Sequence, residues 1–437
     1  MAVNPQNRSS KKRWLLLLPT ILLVAGGFWA YRIAKTLAGS RPVSDLLSEL
    51  RDPRSQFPGK DRIVILIAGK DYNHTDQDIA YTTGSRSDTI MLVSADLATH
   101  QLSAVGVPRD TRVTAPDGVT GKINGTFQRG GIKLLAKTIE QEYGVHADYG
   151  VVLKPDAVKE IVDSLGGVEV EAKDRMFYED SWDDLKIDLP AGRFRVNGEQ
   201  AVGFVRFRKS GTHRYDEHKN KISVPYRPSK EEGDLSRIDR QQQLIRAMLA
   251  EVARPGNLVH LDRILDVAFD QVDTNLTRLQ MLALAQTFRG GTGAGLGGLS
   301  IPGKDGNVGG MYYWLADKER ASLTLKWVLF GDEAAGKQLT RVLVTSNARE
   351  FNEAKQLAEK LDDLGYSASA SLTRRDMPTK TEVVYHSASF EEMGRQIAAI
   401  AGNAPLTKEP TDPRNYWIPE VKINMGKTTK GLLTARP

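Results

Sequence analysis

Arginine and aspartate collect in this chain where short aliphatic runs begin or end. Asp71 follows the run Ile63 to Ala68 and its closing Gly69, Arg86 and Asp88 precede Thr89 to Ser94, and Pro108, Arg109 and Asp110 close Leu102 to Val107. A guanidinium is a planar fork for oxyanions, and a carboxylate can hold a cation or accept a proton. In an open α/β sheet the carboxyl edge of the strands is where ligands bind, so Asp71 and Arg109 are expected to share one crevice. Each residue taken singly reads as a surface ion pair; their joint placement favours a site. Lys122 to Asn124, followed by Gly130 and Gly131, adds a polar loop running into a helix start, where backbone N–H groups can meet a phosphate.

A second cluster lies further on. Phe204 to Arg208 alternates apolar and basic residues, so an extended segment there points Arg206 and Arg208 to one side while Phe204, Val205 and Phe207 pack. Two guanidiniums on one face suit a diphosphate. Asp234, Arg237 and Gln241 are spaced by three and four residues and share one helix face, away from the apolar stripe. Asp239 and Arg240 fall elsewhere on that helix and read as solvated or structural.

The elements that must position these groups alternate. Ile63 to Ala68, Thr89 to Ser94, Leu102 to Val107 and Tyr149 to Leu153 have strand length and composition. Helical spacing covers Gly131 to Tyr143, Pro155 to Leu165 and Leu235 to Ala253, then weaker pieces to Thr287. The alternation predicts an α/β sandwich, with residues 61–335 as its main domain. Strand signals at Arg341 to Thr345 and Thr381 to Tyr385, with helices at Glu350 to Leu364 and Ser389 to Ala401, predict a small separate α/β domain over 340–402. Residues 403–437, rich in proline, lysine and threonine, read as a disordered tail.

At the other end, Trp14 to Tyr31 is an uncharged, mostly apolar run, about the least that spans a hydrocarbon core of roughly 30 Å. Arg8, Lys11, Lys12 and Arg13 precede it, so the positive-inside bias puts 1–13 in the cytoplasm and residues after the 14–31 helix outside. Residues 32–60, with Pro42, Pro53 and Pro58, read as a tether. The absence of cysteine excludes disulfides, thiol nucleophiles and cysteine-ligated zinc. A net charge of +6, from 60 basic against 54 acidic residues interleaved along the chain, gives no basic stripe for nucleic acid.

Six linked stretches carry a resemblance: Arg86-Ser-Asp-Thr-Ile-Met-Leu-Val-Ser, Val107-Pro-Arg-Asp-Thr, Lys122-Ile-Asn-Gly-Thr-Phe with Gly130-Gly131, Leu165-Gly-Gly-Val-Glu-Val, Gly198-Glu-Gln-Ala with Val205-Arg-Phe-Arg, and Asp234-Leu-Ser-Arg-Ile-Asp-Arg-Gln-Gln. In order and spacing they are similar to the bacterial LytR-CpsA-Psr family over about residues 62–253. The segment 340–402 resembles, more loosely, the LytR C-terminal accessory domain.

The resemblance implies a plasma-membrane-anchored transferase that moves a glycan phosphate from a polyprenyl-pyrophosphate-linked precursor to a peptidoglycan hydroxyl, releasing polyprenyl phosphate. It also implies a magnesium or manganese ion, carried onto Asp71 and Asp88, and a pyrophosphate clamp of Arg86, Arg109, Arg206, Arg208 and Arg237, with Gln241, Lys122 and Asn124 as polar partners. Such chemistry needs charge neutralisation and no covalent nucleophile. The group that takes the hydroxyl proton stays open between Asp88 and Asp110. Two alternatives stand beside this reading: a polyprenyl-diphosphate phosphatase with water as acceptor, and an envelope-linked transcriptional regulator. The family often has an arginine two positions after Asp71, where this chain has Asn73. The connection 209–233, with Lys209, His213, Arg214, His218, Lys219 and Lys221, reads as a solvated insertion, a lid over the glycan being the alternative.

Overall fold

The structure, a computed structural model, describes residues 52–70, 73–74, 80–81, 87–154, 156–180, 185–215, 221–223, 227–229, 234–252, 254–258, 261–288, 299–373, 378–409 and 418–426. The expected cytoplasmic segment and membrane helix lie outside them, as does most of the tether. Among the described residues no helix is long and apolar enough to cross a membrane.

Six strands form the central sheet: β1 (Arg62–Lys70), β2 (Ser87–Asp96), β3 (Gln101–Gly106), β4 (Tyr149–Leu153), β5 (Val272–Thr274) and β6 (Leu299–Ser300), in the order β5-β4-β1-β2-β3-β6. β1 is antiparallel to β2 and parallel to β4, and β2 is antiparallel to β3, so the sheet is mixed. Its middle strands are aliphatic on both faces because both faces are covered. The helices that matter below are α1 (Asn124–Tyr143), α2 (Ala157–Ser164), α3 (Gly198–Arg206), α4 (Asp234–Val252), α5 (Leu261–Gln271), α6 (Arg278–Thr287), α7 (Lys318–Phe330), α8 (Glu333–Leu339), α9 (Phe351–Asp363) and α10 (Glu391–Ile400). On one face Val64, Leu66, Ile90, Leu92 and Val105 meet Leu135 and Ile139 of α1 and Ala321, Leu325 and Leu329 of α7. On the other, Ile63 and Ile65 meet Ala283 of α6, and Met91, Val93 and Ala104 meet Ile245 of α4.

Several expectations need correction. The tether ends earlier than residue 60: Phe57 is buried against the sheet beside Tyr149, their rings 5.9 Å apart at a steep angle. α1 starts at Asn124, and the glycine pair lies inside it as a break, Gly131 at φ 62°. Residues 198–206 are helical rather than extended. Asn197 caps this helix by accepting from the Gln200 N–H at 2.9 Å, while the Gln200 side chain accepts from the Asn197 N–H at 3.1 Å, and such a box overrides the short alternation that follows. The connection after Arg208 is not simply solvated: Gly211–Tyr215 pairs in parallel with Met176–Asp180 and antiparallel with Lys221–Ser223, and Ser210 and Thr212 are buried.

The C-terminal sheet has β7 (Arg341–Ser346), β8 (Ser367–Leu372), β9 (Glu382–Tyr385), β10 (Leu406–Lys408) and β11 (Val421–Asn424) in the order β8-β7-β11-β9-β10, with α9 and α10 packed on it. The region expected to be a disordered tail from residue 403 therefore supplies two strands, one of them central. Val421, Ile423 and Met425 are all buried, and this is what holds that stretch in the sheet.

Candidate active site

Antiparallel pairing brings the carboxyl ends of β1 and β3 to either side of the amino end of β2. Gly69 opposes Thr89 and Lys70 opposes Ser87, so Asp88 is the extra residue of a β-bulge. Bulges re-aim the chain at the ends of strands, and this one stands at the carboxyl end of β1, the edge where the sequence places the candidate site. Asp71 and Arg86 lie outside the described residues, as does the side chain of Asp88; the backbone of Asp88 is at this edge.

Beyond β3 the chain makes a turn whose carbonyls are all engaged. Thr111 N–H donates to Pro108 O at 2.9 Å, Asn124 N–H to Arg109 O at 3.2 Å, Ile123 N–H to Thr111 O at 2.8 Å and Trp314 N–H to Asp110 O at 2.9 Å. Satisfied on every side, the turn presents its side chains from a fixed frame. Asp110 sits between two cations, Lys122 Nζ at 2.8 Å from one carboxylate oxygen and Arg109 Nε at 3.8 Å from the other. The cluster carries one net positive charge, and Asp110 holds both cations in register. Asn124 is buried at the first turn of α1, beside Arg109.

α4 closes the corner from the other face. Gln241 donates from Nε2 to Thr89 Oγ1 at 2.9 Å, which ties the helix to the bulge beside Asp88. Arg237, one turn earlier on the same face, is buried. Asp239 is exposed, as expected of a solvated residue. Arg240 is structural: its Nε donates to Phe204 O at 2.8 Å, Nη2 donates to Phe207 O, and the guanidinium lies 5.4 Å from the Phe207 ring centre.

That clamp fixes the end of α3 against α4. Arg206 closes α3 and Arg208 follows the extended Phe207, and both side chains are exposed. They are therefore not strand neighbours on one face. The packing half of the expectation stands, since Phe204 and Phe207 are buried.

Lys122, Asn124, Arg109, Asp110, the Asp88 backbone and Gln241 thus meet at one strand edge, with Arg237 on the same face of α4 as Gln241. Two contributors escaped the sequence reading: Thr89, and a hairpin of Gly303–Val308 with Met311–Ala316 that braces the Arg109 turn through Trp314. Gly309 and Gly310 were its signal, a two-residue turn with both φ angles positive, at 60° and 78°.

Among the described residues no three His, Cys, Asp or Glu side chains are grouped to hold a metal. Magnesium asks for less than that, one or two carboxylates completed by substrate phosphate and water. The bulge sets the Asp88 backbone beside Lys70, the residue that precedes Asp71.

What the strands and loops define is an α/β protein with a mixed central sheet and a polar, net cationic cluster at one strand edge. The chain belongs to the LytR_cpsA_psr family, whose model matches residues 30–221 and 224–326. In Bacillus subtilis strain 168, the polyisoprenyl-teichoic acid–peptidoglycan teichoic acid transferase TagV is 28% identical over 321 residues, covering 71% of this chain and 76% of that protein. The TagU transferase of the same organism is 27% identical over 325 residues, covering 72% and 95%. The crystal structure of B. subtilis TagV has 26% identity and a TM-score of 0.49, over 62% of this chain and 98% of that one. The C-terminal sheet lies beyond the family match.

Proposed function

We propose that this chain transfers a glycan phosphate from a polyprenyl-pyrophosphate carrier to a peptidoglycan hydroxyl, outside a membrane in which residues 14–31 anchor it. The observation that carries the reading is the Arg109–Asp110–Lys122 cluster, held at the strand edge opposite the Gln241–Thr89 bond, in a chain of a family whose curated relatives are named polyisoprenyl-teichoic acid–peptidoglycan teichoic acid transferases.

In the proposed step the acceptor oxygen bonds to the phosphorus on the glycan side of the pyrophosphate. The bond from that phosphorus to the bridging oxygen breaks, polyprenyl phosphate leaves with the electron pair, and the hydroxyl proton passes to a carboxylate, Asp88 or Asp110. Arg109, Lys122 and Arg237, with Arg86 and the exposed Arg206 and Arg208, neutralise the charge that develops on the phosphoryl oxygens. A magnesium or manganese ion held by Asp71 and Asp88 would add Lewis-acid stabilisation of the same charge.

The test is release of polyprenyl phosphate from a polyprenyl-pyrophosphate glycan by the full chain in detergent. Arg109→Ala and Arg206→Ala are expected to lower kcat/KM by about a hundredfold or more while the circular dichroism spectrum holds. Unchanged rates in both variants would sink the proposal. Retention of released glycan phosphate on added peptidoglycan separates transfer from hydrolysis.

A further inference from the structure

The surface beside the Arg109 turn has an unusual make-up. Two hairpins stand side by side there: Arg112–Thr114 with Thr120–Lys122, and Gly303–Val308 with Met311–Ala316, joined where Thr111 bridges Trp314. Seven large apolar side chains are exposed among the described residues, and four lie on this pair: Val119 at 43%, Val308 at 40%, Met311 at 52% and Tyr312 at 42%. The root of the second hairpin is rigid, with Tyr313 and Trp314 buried and Trp314 Nε1 donating to Ile301 O at 3.2 Å. The apolar side chains offered to solvent are those at its tip.

Tyr312 is held in place at both ends. Its hydroxyl donates to Asp305 Oδ1 at 2.6 Å, and Lys122 Nζ lies 5.7 Å from the ring centre while also binding Asp110 at 2.8 Å. An exposed aromatic ring is thus fixed directly against Lys122, a member of the proposed phosphate corner. Lys304, Asp305 and Asn307 border it, all exposed. An apolar ring face edged by carboxylate, amide and ammonium matches a pyranose, whose axial C–H groups stack on the ring while its hydroxyls bond to the border.

We infer that these hairpins seat the glycan strand of the acceptor peptidoglycan, with Tyr312 as the stacking ring and Asp305 as the hydroxyl acceptor. The inference rests on the phosphotransfer reading above. In-line displacement puts entering and leaving oxygens on opposite sides of the phosphorus. The hairpins belong to the α1 side, where Gln141 Nε2 donates to Thr114 O at 2.8 Å, and an acceptor seated on them meets the Arg109 turn through Lys122.

Co-sedimentation of the detergent-solubilised full chain with polymer-stripped sacculi tests the seat, together with acceptor KM in the transfer assay. Tyr312→Ala is expected to raise the acceptor KM about tenfold with kcat held and to cut the sedimenting fraction, while Tyr312→Trp, which keeps an aromatic face, stays near the parent. Parent-like sedimentation and KM for Tyr312→Ala overturn the inference. So does a KM shift that falls on the donor glycan instead, or an equal loss in Tyr312→Trp. Arg109→Ala should lose turnover and still sediment; if it keeps turnover the phosphotransfer reading fails, and the sedimentation of Tyr312→Ala still decides the seat by itself.

Discussion

Neighbouring polar residues on α4 perform opposite tasks, and their partners decide which. Gln241 reaches the bulge on β2 through Thr89, whereas Arg240 turns away from the edge and binds the carbonyls that end α3. A guanidinium buried to 2% exposure and bonded to two backbone oxygens costs stability when removed, because those oxygens are left without their donor. Arg240→Met should therefore lower unfolding free energy by roughly 2–4 kcal/mol in urea titration, with Asp239→Ala, at an exposed position, within about 0.5 kcal/mol of the parent. Equal midpoints for the two variants would remove Arg240 from the clamp. Asp110 teaches the same lesson: standing between Lys122 and Arg109, it orients two cations whatever its part in proton transfer.

At the scale of the element, α1 shows how much a glycine pair governs. A Cβ on Gly130 would lie 2.5 Å from the Leu134 Cβ and 2.9 Å from its Cδ2. Gly130→Ala is expected to destabilise by about 1–3 kcal/mol and to shift Asn124 and Lys122 against Arg109, read as a lower melting temperature and a raised donor KM. A parent-like melting curve would show that the break tolerates a side chain. This break was only half legible beforehand. The spacing of Ile132, Leu135, Ile139 and Tyr143 announced the second part of the helix, while Asn124 to Arg129, polar and glycine-bearing, gave no periodic signal and read as loop. The three central strands were legible because each is a continuous aliphatic run buried on both faces. α3 misled, since Phe204 to Arg208 alternates like a strand; the information lay upstream in Asn197 and Gln200, the capping box. β11 was missed because only four residues, two of them polar, do its work amid lysine and threonine. At the site, residue types were readable along the chain, but the bond from Gln241 to Thr89 joins positions 152 residues apart, and no local spacing encodes it.

At the scale of the whole molecule, one helix joins a core of the central sheet to the core of the C-terminal sheet. Ala321, Leu325 and Leu329 of α7 enter the core of the central sheet, while Trp327 faces the C-terminal core, its ring 5.2 Å from Phe390. Glu420 reinforces the junction, accepting from Arg320 Nη2 at 2.8 Å and from Arg341 Nη2 at 3.0 Å. Two units sharing a helix should melt together, so calorimetry of the parent is expected to give one transition. Trp327→Ala, which removes a half-buried indole worth about 2–3 kcal/mol, should split it in two. A single peak for the variant would mean that the Glu420 ion pairs suffice for coupling. The placement of β11 bears on how such a molecule comes into being. The last of the described strands is the one that separates β7 from β9, so the nascent C-terminal unit carries two bare ladders until Val421–Asn424 emerges. Its assembly is a closing stitch rather than a growing edge, and the time between Tyr385 and Val421 is when it is most open to mispairing.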